Sequence, residues 1–327
     1  MLKKNIFEED VEMKATREGF GDALLELGKE NENIVALCAD LTESVQMHKF
    51  RNAFPDRFFQ MGVAEQNMAA AASGMSAMGR VPVIASYAAF NPGRNWEQIR
   101  TTICYNNRKV IIIGAHAGLS VGPDGGTHQA LEDMAILRAI PNITIFSPAD
   151  YVEAFKLTKL AFEIEGPVYI RLAREKSPIL FEDSYKPKNG VGEVVYVSKV
   201  VSHNKLGIIA TGPIIYEALK ATQSLEQAHK ISVSILNIHT IKNMDKDQIV
   251  RFAINNKKII TLEEHQITGG LGSAISEILS ENHPTKMKML GVKNRFGQSG
   301  TVAELYKEYE IDEQSIIKVG LELLHSN

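Results

Sequence analysis

The feature that most constrains the fold of this chain is a repeated alternation between short apolar runs and helical patterns. The runs at Ile34–Cys38, at residues 109–113 and at residues 168–172 are apolar and rich in β-branched residues, as in strands buried on both faces of a sheet. Segments with apolar residues at helical spacing alternate with such runs, beginning with residues 16–29 ahead of Ile34–Cys38. We therefore predict an α/β chain with parallel, doubly wound sheets.

Two domains are expected from the length and from one break in the alternation. A single core stops growing near about 250 to 300 residues, and this chain has 327. At residues 181–192 the pattern fails in a stretch with proline and glycine, which indicates a linker. We predict a first domain at residues 1–180 and a second, smaller α/β domain at residues 193–327.

Composition and charge exclude several classes of protein. The net charge of -3 gives no electrostatic field for nucleic acid or for an anionic membrane surface. No apolar run approaches membrane-spanning length, and acidic residues follow the amino-terminal lysines before a signal peptide could form. Cys38 and Cys104 lie in predicted regular structure, so we expect two buried, reduced thiols. These features predict a cytoplasmic protein.

Residues 114–129, G-A-H-A-G-L-S-V-G-P-D-G-G-T-H-Q, form a loop after the apolar run at 109–113. Its five glycines permit close approach to a ligand, and it has too few apolar residues to bury itself. One loop His or Asp is more often a turn-former or a solvated side chain. His116, Asp124 and His128 together, at the carboxyl end of a strand, predict recognition of a polar small molecule.

Further polar and aromatic residues follow other predicted strands. Asp40 and Ser44 come after Ile34–Cys38, and Tyr87 and Phe90 come after the run at residues 81–85. Taken without context, an aromatic residue near a strand end is usually part of the core. These residues are therefore candidates only as members of a larger set.

The helices carry two further expectations. Glu65 begins a helix of small residues, which we expect to be packed closely at an intersubunit or interdomain seam. Thr16 is the expected N-cap of the helix at residues 16–29. In the second domain, the glycines at residues 269–272 lack the G-x-G-x-x-G spacing of a nucleotide loop, and a structural role is favoured.

As an ordered set covering essentially the whole chain, seven motifs make this sequence resemble the carboxyl-terminal half of transketolases. Each motif is short, but the order makes the set specific. The matching segments are residues 14–17, 39–41 with Ser44, 62–65, 86–90, 114–129, 172–174 and 237–242.

The resemblance implies thiamine diphosphate in a cleft between a pyrimidine-binding domain and a diphosphate-binding domain. This chain resembles the pyrimidine-type domain followed by the C-terminal domain. A Gly-Asp-Gly segment for the diphosphate side is missing, since Gly21-Asp22 is followed by Ala23. The resemblance thus implies that Mg²⁺ or Ca²⁺ is held by a separate N-terminal subunit, most simply in an α2β2 assembly.

Roles toward the cofactor follow from the same resemblance. Glu65 resembles the acid that hydrogen-bonds the pyrimidine ring and favours its imino tautomer. Tyr87 and Phe90 match aromatic residues that stack on this ring, and Asp40 is expected near it. The residues after Phe90, Asn91-Pro92-Gly93-Arg94, lack a further aromatic residue that some relatives have.

Roles toward the substrate are implied as well. Arg17, Ser44, His116 and Arg174 match positions that hold a sugar phosphate, and paired guanidinium donors suit a phosphate dianion. Asp124 matches a carboxylate that binds a sugar hydroxyl. His128 matches a residue near the donor carbonyl, which makes Glu65 and His128 the expected catalytic residues.

The resemblance therefore implies a transketolase subunit of carbohydrate metabolism that moves a two-carbon ketol unit from a ketose to an aldose, both as phosphates. Two related enzymes are alternatives: a 2-oxo acid dehydrogenase β subunit and half of a deoxyxylulose-phosphate synthase. The phosphate-binding set favours transketolase, because pyruvate would not need it. A non-catalytic regulatory or scaffolding relative is the alternative from another class.

Overall fold

A computed structural model describes residues 2–8 and 10–325 of the chain. The strands are β1 (Met13–Lys14), β2 (Ile34–Cys38), β3 (Phe58–Gln60), β4 (Val81–Tyr87), β5 (Ile111–Ala115), β6 (Thr144–Phe146), β7 (Val168–Arg171), β8 (Ser177–Pro178), β9 (Glu193–Val197), β10 (Lys205–Ala210), β11 (Ser232–Asn237), β12 (Lys258–Gln266) and β13 (Lys286–Val292). The helices are α1 (Thr16–Glu30), α2 (His48–Ala53), α3 (Glu65–Ala77), α4 (Trp96–Gln98), α5 (Asp133–Arg138), α6 (Tyr151–Glu163), α7 (Ile215–Gln227), α8 (Lys246–Asn256), α9 (Leu271–Asn282), α10 (Val302–Glu308) and α11 (Glu313–His325).

The larger sheet has six parallel strands in the order β3-β2-β4-β5-β7-β6. Its central strands are buried on both faces, since successive side chains point to opposite sides. In β2, for example, Ile34 packs in the same cluster as Phe20 of α1, whereas Leu37 packs in the cluster of Met68 of α3. The predicted parallel, doubly wound sheet is confirmed, and the carboxyl ends of its strands meet along one edge.

The smaller sheet has the order β13-β12-β10-β11-β9. Four of its strands are parallel, and the edge strand β9 runs antiparallel to β11. The sequence did not predict β9, because this strand directly follows the linker pattern and is only half-buried. A two-stranded antiparallel ribbon, β1 with β8, closes the end of the first unit.

The two sheet units are joined by backbone and by buried side chains. Phe146 at the end of β6 pairs with Thr240, and the Ser147 amide donates to the His239 carbonyl at 2.8 Å. The Glu153 carboxyl of α6 accepts hydrogen bonds from the Tyr185 hydroxyl at 2.9 Å and from Asn237 Nδ2 at 2.8 Å. Burial raises the pKa of Glu153 to about 8. Two of the apolar clusters also contain residues of both units, so the core is continuous across the junction.

Two local expectations differ from the structure. Thr16 is the first residue of α1 and not its cap, because its hydroxyl accepts a hydrogen bond from the Ala173 amide at 2.8 Å. The Glu18 carboxylate instead bonds the Ala15 amide at 2.7 Å. Helix α3 packs mainly against β4 and the π-helical turn Ile99–Cys104 of its own unit, so it is not buried between the domains. A seam with another subunit stays a prediction for this helix.

The two cysteines behave as expected for buried thiols. Cys38 and Cys104 are both free and buried. Burial raises the pKa of Cys104 to about 12, so the thiol is protonated at neutral pH. No helix in the described ranges is long and apolar enough to cross a membrane.

Candidate active site

Glu65 lies at the start of α3, after a turn in which Gly62 has a positive φ of 69°. Its side chain is 1% exposed, and both of its carboxylate oxygens face Arg94 Nη1, at 2.9 and 3.0 Å. Asn95 Nδ2 fixes the backbone by donating to the Glu65 carbonyl at 3.2 Å. A buried carboxylate needs such compensation, and here it comes from an arginine side chain that is about half exposed.

Aromatic rings form a second part of the site, at the end of β4. The ring of Tyr87 stacks on His116 with centroids 3.8 Å apart, and it lies nearly parallel to Phe90 at 6.1 Å. His128 meets Tyr87 and Phe90 edge-on, at 6.0 and 5.7 Å. The structure therefore brings four of the predicted site residues into one cluster where β4 and β5 end.

Arg94 links the carboxylate to this cluster, and sequence reasoning missed it. Its guanidinium carbon lies 4.4 Å from the centre of the Phe90 ring while its Nη1 contacts Glu65. The available signal was a cation four residues after Phe90, but an arginine is usually a solvated surface charge. Glu65 lies 29 residues away in the sequence, so their contact leaves no local pattern.

His116 is more buried than a glycine-rich loop predicts. Its side chain is 1% exposed, its φ is 54°, and its Nδ1 atom is buried without a partner in the described chain. Burial, followed by the nearby charges of Arg17 and Arg174, lowers the pKa of this imidazole to about 3. The ring is therefore neutral at physiological pH, and it carries a buried polar atom that the described chain leaves without a hydrogen bond.

Two arginines make this side of the site cationic. Arg17 donates from Nη1 to the Ser44 carbonyl at 2.8 Å, and its Nε atom is buried without a partner in the described chain. Burial lowers the pKa of Arg17, and the charge of Arg174 lowers it further. Arg174 donates to the Val121 carbonyl at 2.7 Å and lies 3.7 Å from Asp124. Arg174 also lies 3.3 Å from Glu175. Guanidinium groups of this kind can donate charge-assisted hydrogen bonds to an anion.

The remaining predicted residues lie at the same edge of the sheet with weaker connections. Ser44 contacts Arg17 through its carbonyl oxygen and not through its hydroxyl. Asp40 is exposed and has a φ of 58°, and its amide donates to Gln60 Oε1 at 2.8 Å. No hydrogen bond or ion pair joins Asp40 to another predicted site residue in the part of the chain that the structure describes. Of the other nine, Tyr87, Phe90, His116 and His128 share ring contacts, and Arg94 links Glu65 to Phe90. Arg17 with Ser44 and Arg174 with Asp124 form two further pairs.

The loop at residues 114–129 is more buried than expected, although its own apolar residues do not bury it. Leu119 and Val121 are fully buried, and Ser120 is 3% exposed. The second domain covers this part of the loop, which the loop's own composition could not reveal. Among residues 2–8 and 10–325, no group of three or more His, Cys, Asp or Glu side chains could hold a metal ion.

Comparisons with known proteins identify relatives of both units. Residues 12–178 match the transketolase pyrimidine-binding domain, and residues 196–316 match the transketolase C-terminal domain. A putative transketolase C-terminal section of Methanocaldococcus jannaschii is 40% identical over 93% of this chain and 95% of its own length. A 6-deoxy-6-sulfo-D-fructose transketolase subunit of Clostridium sp. (strain MSTE9) is 33% identical over 97% of each chain.

A solved structure is similar over the same extent. It is that of a split gene transketolase, in the form of an inactive tetramer of four β chains (a beta4 tetramer). It shares 39% of residues with this chain and has a TM-score of 0.86. The match covers 95% of this chain and 98% of that one, so both units and their arrangement are similar.

Proposed function

Because this chain belongs to the transketolase family, with its pyrimidine-binding and C-terminal domains, we propose that it is the C-terminal subunit of a two-chain transketolase. The complete enzyme uses thiamine diphosphate and moves a two-carbon ketol unit from a ketose phosphate to an aldose phosphate. The observation that carries this proposal is Glu65, a buried carboxylate beside stacked aromatic rings at the carboxyl edge of the sheet.

The residues around Glu65 fit the pyrimidine ring of thiamine diphosphate. A carboxylate that is 1% exposed is suited to hold a ring nitrogen that carries a proton, and Phe90 and Tyr87 offer aromatic faces beside it. When bound, this cofactor supplies the electron sink that allows the carbon–carbon bond of a ketose to break. Glu65 acts in this proposal as the proton-exchanging group of the chain.

The substrate residues fit a phosphorylated sugar. Arg17 and Arg174 supply donors for a phosphate dianion, and neutral His116 offers Nδ1 to the same ligand. Asp124 and His128 lie on the same loop as His116. Asp124 would bind a sugar hydroxyl, and His128 would lie near the carbonyl of the donor sugar. Asp40 and Ser44 follow the end of β2. Asp40 would lie near the pyrimidine ring of the cofactor, and Ser44 would contribute to phosphate binding.

The proposal requires a partner chain. The two family matches account for most of this chain, and neither is a diphosphate-binding domain. An N-terminal subunit would bind the diphosphate through Mg²⁺ or Ca²⁺, and two copies of each chain would form an α2β2 assembly. The β4 tetramer of the split gene relative, which is described as inactive, supports this requirement.

The test is reconstitution with the partner that co-purifies with the full chain. We expect thiamine diphosphate-dependent ketol transfer from a ketose phosphate by the pair, and none by this chain alone. Turnover of pyruvate instead would favour a 2-oxo acid dehydrogenase β subunit or a deoxyxylulose-phosphate synthase half. A reconstituted complex that turns over neither substrate would favour a non-catalytic relative. Full ketol transfer by this chain alone would overturn the proposal.

A further inference from the structure

The second domain contains none of the residues assigned to the cofactor or the substrate, yet two of its segments hold the loop that carries His116, Asp124 and His128. One segment is the end of β12 at Glu264, and the other is the stretch at residues 297–300, before α10. Both touch the part of the loop that is buried. These contacts place the second domain against the loop at defined atoms.

The Glu264 side chain is the central contact. It is 2% exposed, and its Oε2 accepts a hydrogen bond from the Ser120 amide at 2.8 Å. The hydroxyl of Tyr306 in α10 is a further hydrogen-bond partner of this carboxylate. Ser120 lies between His116 and Asp124, so a single carboxylate of the second domain fixes the middle of the substrate loop.

Arg171 ties this contact back to the first sheet. Its Nη2 donates to the Glu264 carbonyl at 2.8 Å, and its Nε faces both oxygens of Asp133 at 3.1 and 3.2 Å. The Tyr169 hydroxyl also donates to Asp133, at 2.7 Å. A charged group that is buried in such a network is held in one position by all its partners at once. The loop is therefore anchored to both sheets.

The stretch at residues 297–300 lies against the glycines of the loop. A Cβ atom at Gly126 would meet the Gly297 carbonyl oxygen at 2.5 Å, and one at Gly125 would meet Ser299 Oγ at 2.6 Å. Gln129 Nε2 donates to the Gln298 carbonyl at 3.0 Å, across the same contact. Only glycine fits at these close approaches, which gives the loop glycines a reason besides ligand contact.

We propose that Glu264 is a positioning residue, through which the second domain holds the substrate loop in the geometry that binds the sugar phosphate. This inference rests on the proposed function for its kinetic consequence, whereas the mechanical coupling concerns the isolated chain. Glu264 touches neither the substrate nor the cofactor. Its effect should therefore appear in substrate affinity and in the mobility of the loop, and not in cofactor affinity.

The chain offers a matched control in Glu263. This residue is also fully buried on β12, but its oxygens accept from the Leu271 and Gly272 amides at the start of α9, at 2.7 and 2.8 Å. Glu264→Ala and Glu263→Ala thus remove the same group at the same depth. Glu264→Gln keeps an oxygen for the Ser120 amide and serves as the conservative variant.

Hydrogen exchange of the isolated full chain is the first measurement. We expect Glu264→Ala to raise the exchange rate of residues 117–124 by at least about tenfold, with Glu264→Gln closer to the unchanged protein. Glu263→Ala should raise exchange only at the start of α9. This measurement needs no substrate, so it tests the coupling even if the complex proves inactive.

Kinetics of the reconstituted complex are the second measurement. Glu264→Ala should raise KM for the ketose phosphate by about tenfold or more, with a smaller change in kcat and an unchanged affinity for thiamine diphosphate. Gly297→Ala tests the same coupling at the surface if Glu264→Ala does not fold, because its Cβ would press on Gln129. Gln298→Ala is its control, since Gln129 contacts only the Gln298 carbonyl.

The outcomes separate this inference from the proposed function. Absence of ketol transfer by the reconstituted complex without substitutions would count against the proposed function but not against the coupling between Glu264 and the loop. An active complex in which the Glu264 and Glu263 variants have the same KM and the same loop exchange would overturn the positioning role. A raised KM in Gly297→Ala, with Gln298→Ala unchanged, would support it.

Discussion

Glu65 and His116 are equally buried, but the structure holds them in opposite ways. Each is 1% exposed. Glu65 depends on Arg94, whose side chain is 46% exposed. His116 lies in a loop that is anchored by buried groups of both domains, including Glu264 and Arg171. The comparison indicates that the proposed substrate side is held by buried contacts, whereas the carboxylate of the proposed cofactor side is held by one side chain that is about half exposed.

This difference agrees with a site divided between two chains. Arg17, His116 and Arg174, which are proposed for the sugar phosphate, are all held by contacts within this chain. Glu65, which is proposed to bind the pyrimidine ring, is paired with Arg94 of the same chain. The Arg94 guanidinium also lies over the ring of Phe90, which is proposed to stack on the cofactor. A cofactor would have to replace Arg94 at Glu65, and binding of its diphosphate by a partner chain would supply the free energy for this exchange.

The largest effect is expected from removing the acid of the cofactor side. Glu65→Gln should lower ketol transfer by the reconstituted complex by about 10²- to 10⁴-fold, because an amide cannot exchange the proton. Steady-state assays with a ketose phosphate measure this change, and Glu97→Gln, an exposed acid outside the site, is the control. Activity of Glu65→Gln equal to that of the control would remove Glu65 from the mechanism.

The next largest effect is expected from removing Arg174, a cation of the proposed substrate side. Arg174→Ala should raise KM for a phosphorylated ketose by about 10- to 100-fold, because a charge-assisted hydrogen bond of roughly 1.5–3 kcal/mol is lost. KM for the unphosphorylated ketose should change by less than about threefold. Arg100→Ala removes an exposed arginine elsewhere and serves as the control. Equal effects on both sugars would show that Arg174 does not bind the phosphate.

Substitution of Arg94 tests the difference between the ways in which Glu65 and His116 are held. Arg94→Gln should tighten binding of thiamine diphosphate to the complex by up to about tenfold, because a competitor for Glu65 is removed. The same change should destabilise the isolated chain by about 2 kcal/mol, since the buried carboxylate loses its charged partner. Calorimetry and denaturant unfolding measure the two effects, with Arg100→Gln as control. Weaker cofactor binding would instead make Arg94 a part of the cofactor site.

The smallest effect concerns pH on the substrate side. The pKa of His116 is lowered from 6.5 to about 3, so protonation opposes folding, and its contribution to stability is present above pH 6.5 and lost as pH falls. Between pH 6.5 and about pH 5, titration of this group alone should lower the free energy of unfolding by about 1.6 kcal/mol. The difference between the unchanged chain and His116→Asn in denaturant unfolding isolates the contribution. A pH-independent difference would show that His116 is not desolvated.

Much of the fold followed from the sequence because the signals were local. The parallel strands were predicted from their apolar runs, and the edge where Glu65, Tyr87 and His116 meet followed from the rule that parallel strands end together. Strand β9 was missed because its burial depends on its neighbour β11 and not on its own pattern. Thr16 was assigned as a cap because its tertiary partner, Ala173, lies far away in the sequence.

The candidate site was predictable to the extent that its residues stand at strand ends. What the sequence did not reveal are contacts between distant segments, namely Arg94 on Glu65 and Glu264 on Ser120. Neither contact leaves a periodic pattern, since each joins two side chains or backbone groups through space. The burial of the substrate loop likewise depends on a domain that begins some 70 residues after it.

The most direct test of the divided site is a calorimetric titration of thiamine diphosphate with Mg²⁺. The isolated chain and an equimolar mixture with its co-purified partner would be titrated side by side. The account predicts saturable binding by the mixture and none stronger than about 1 mM by the isolated chain, because Arg94 holds Glu65 and the diphosphate is proposed to bind to the partner chain. Equal affinity in both samples would contradict it.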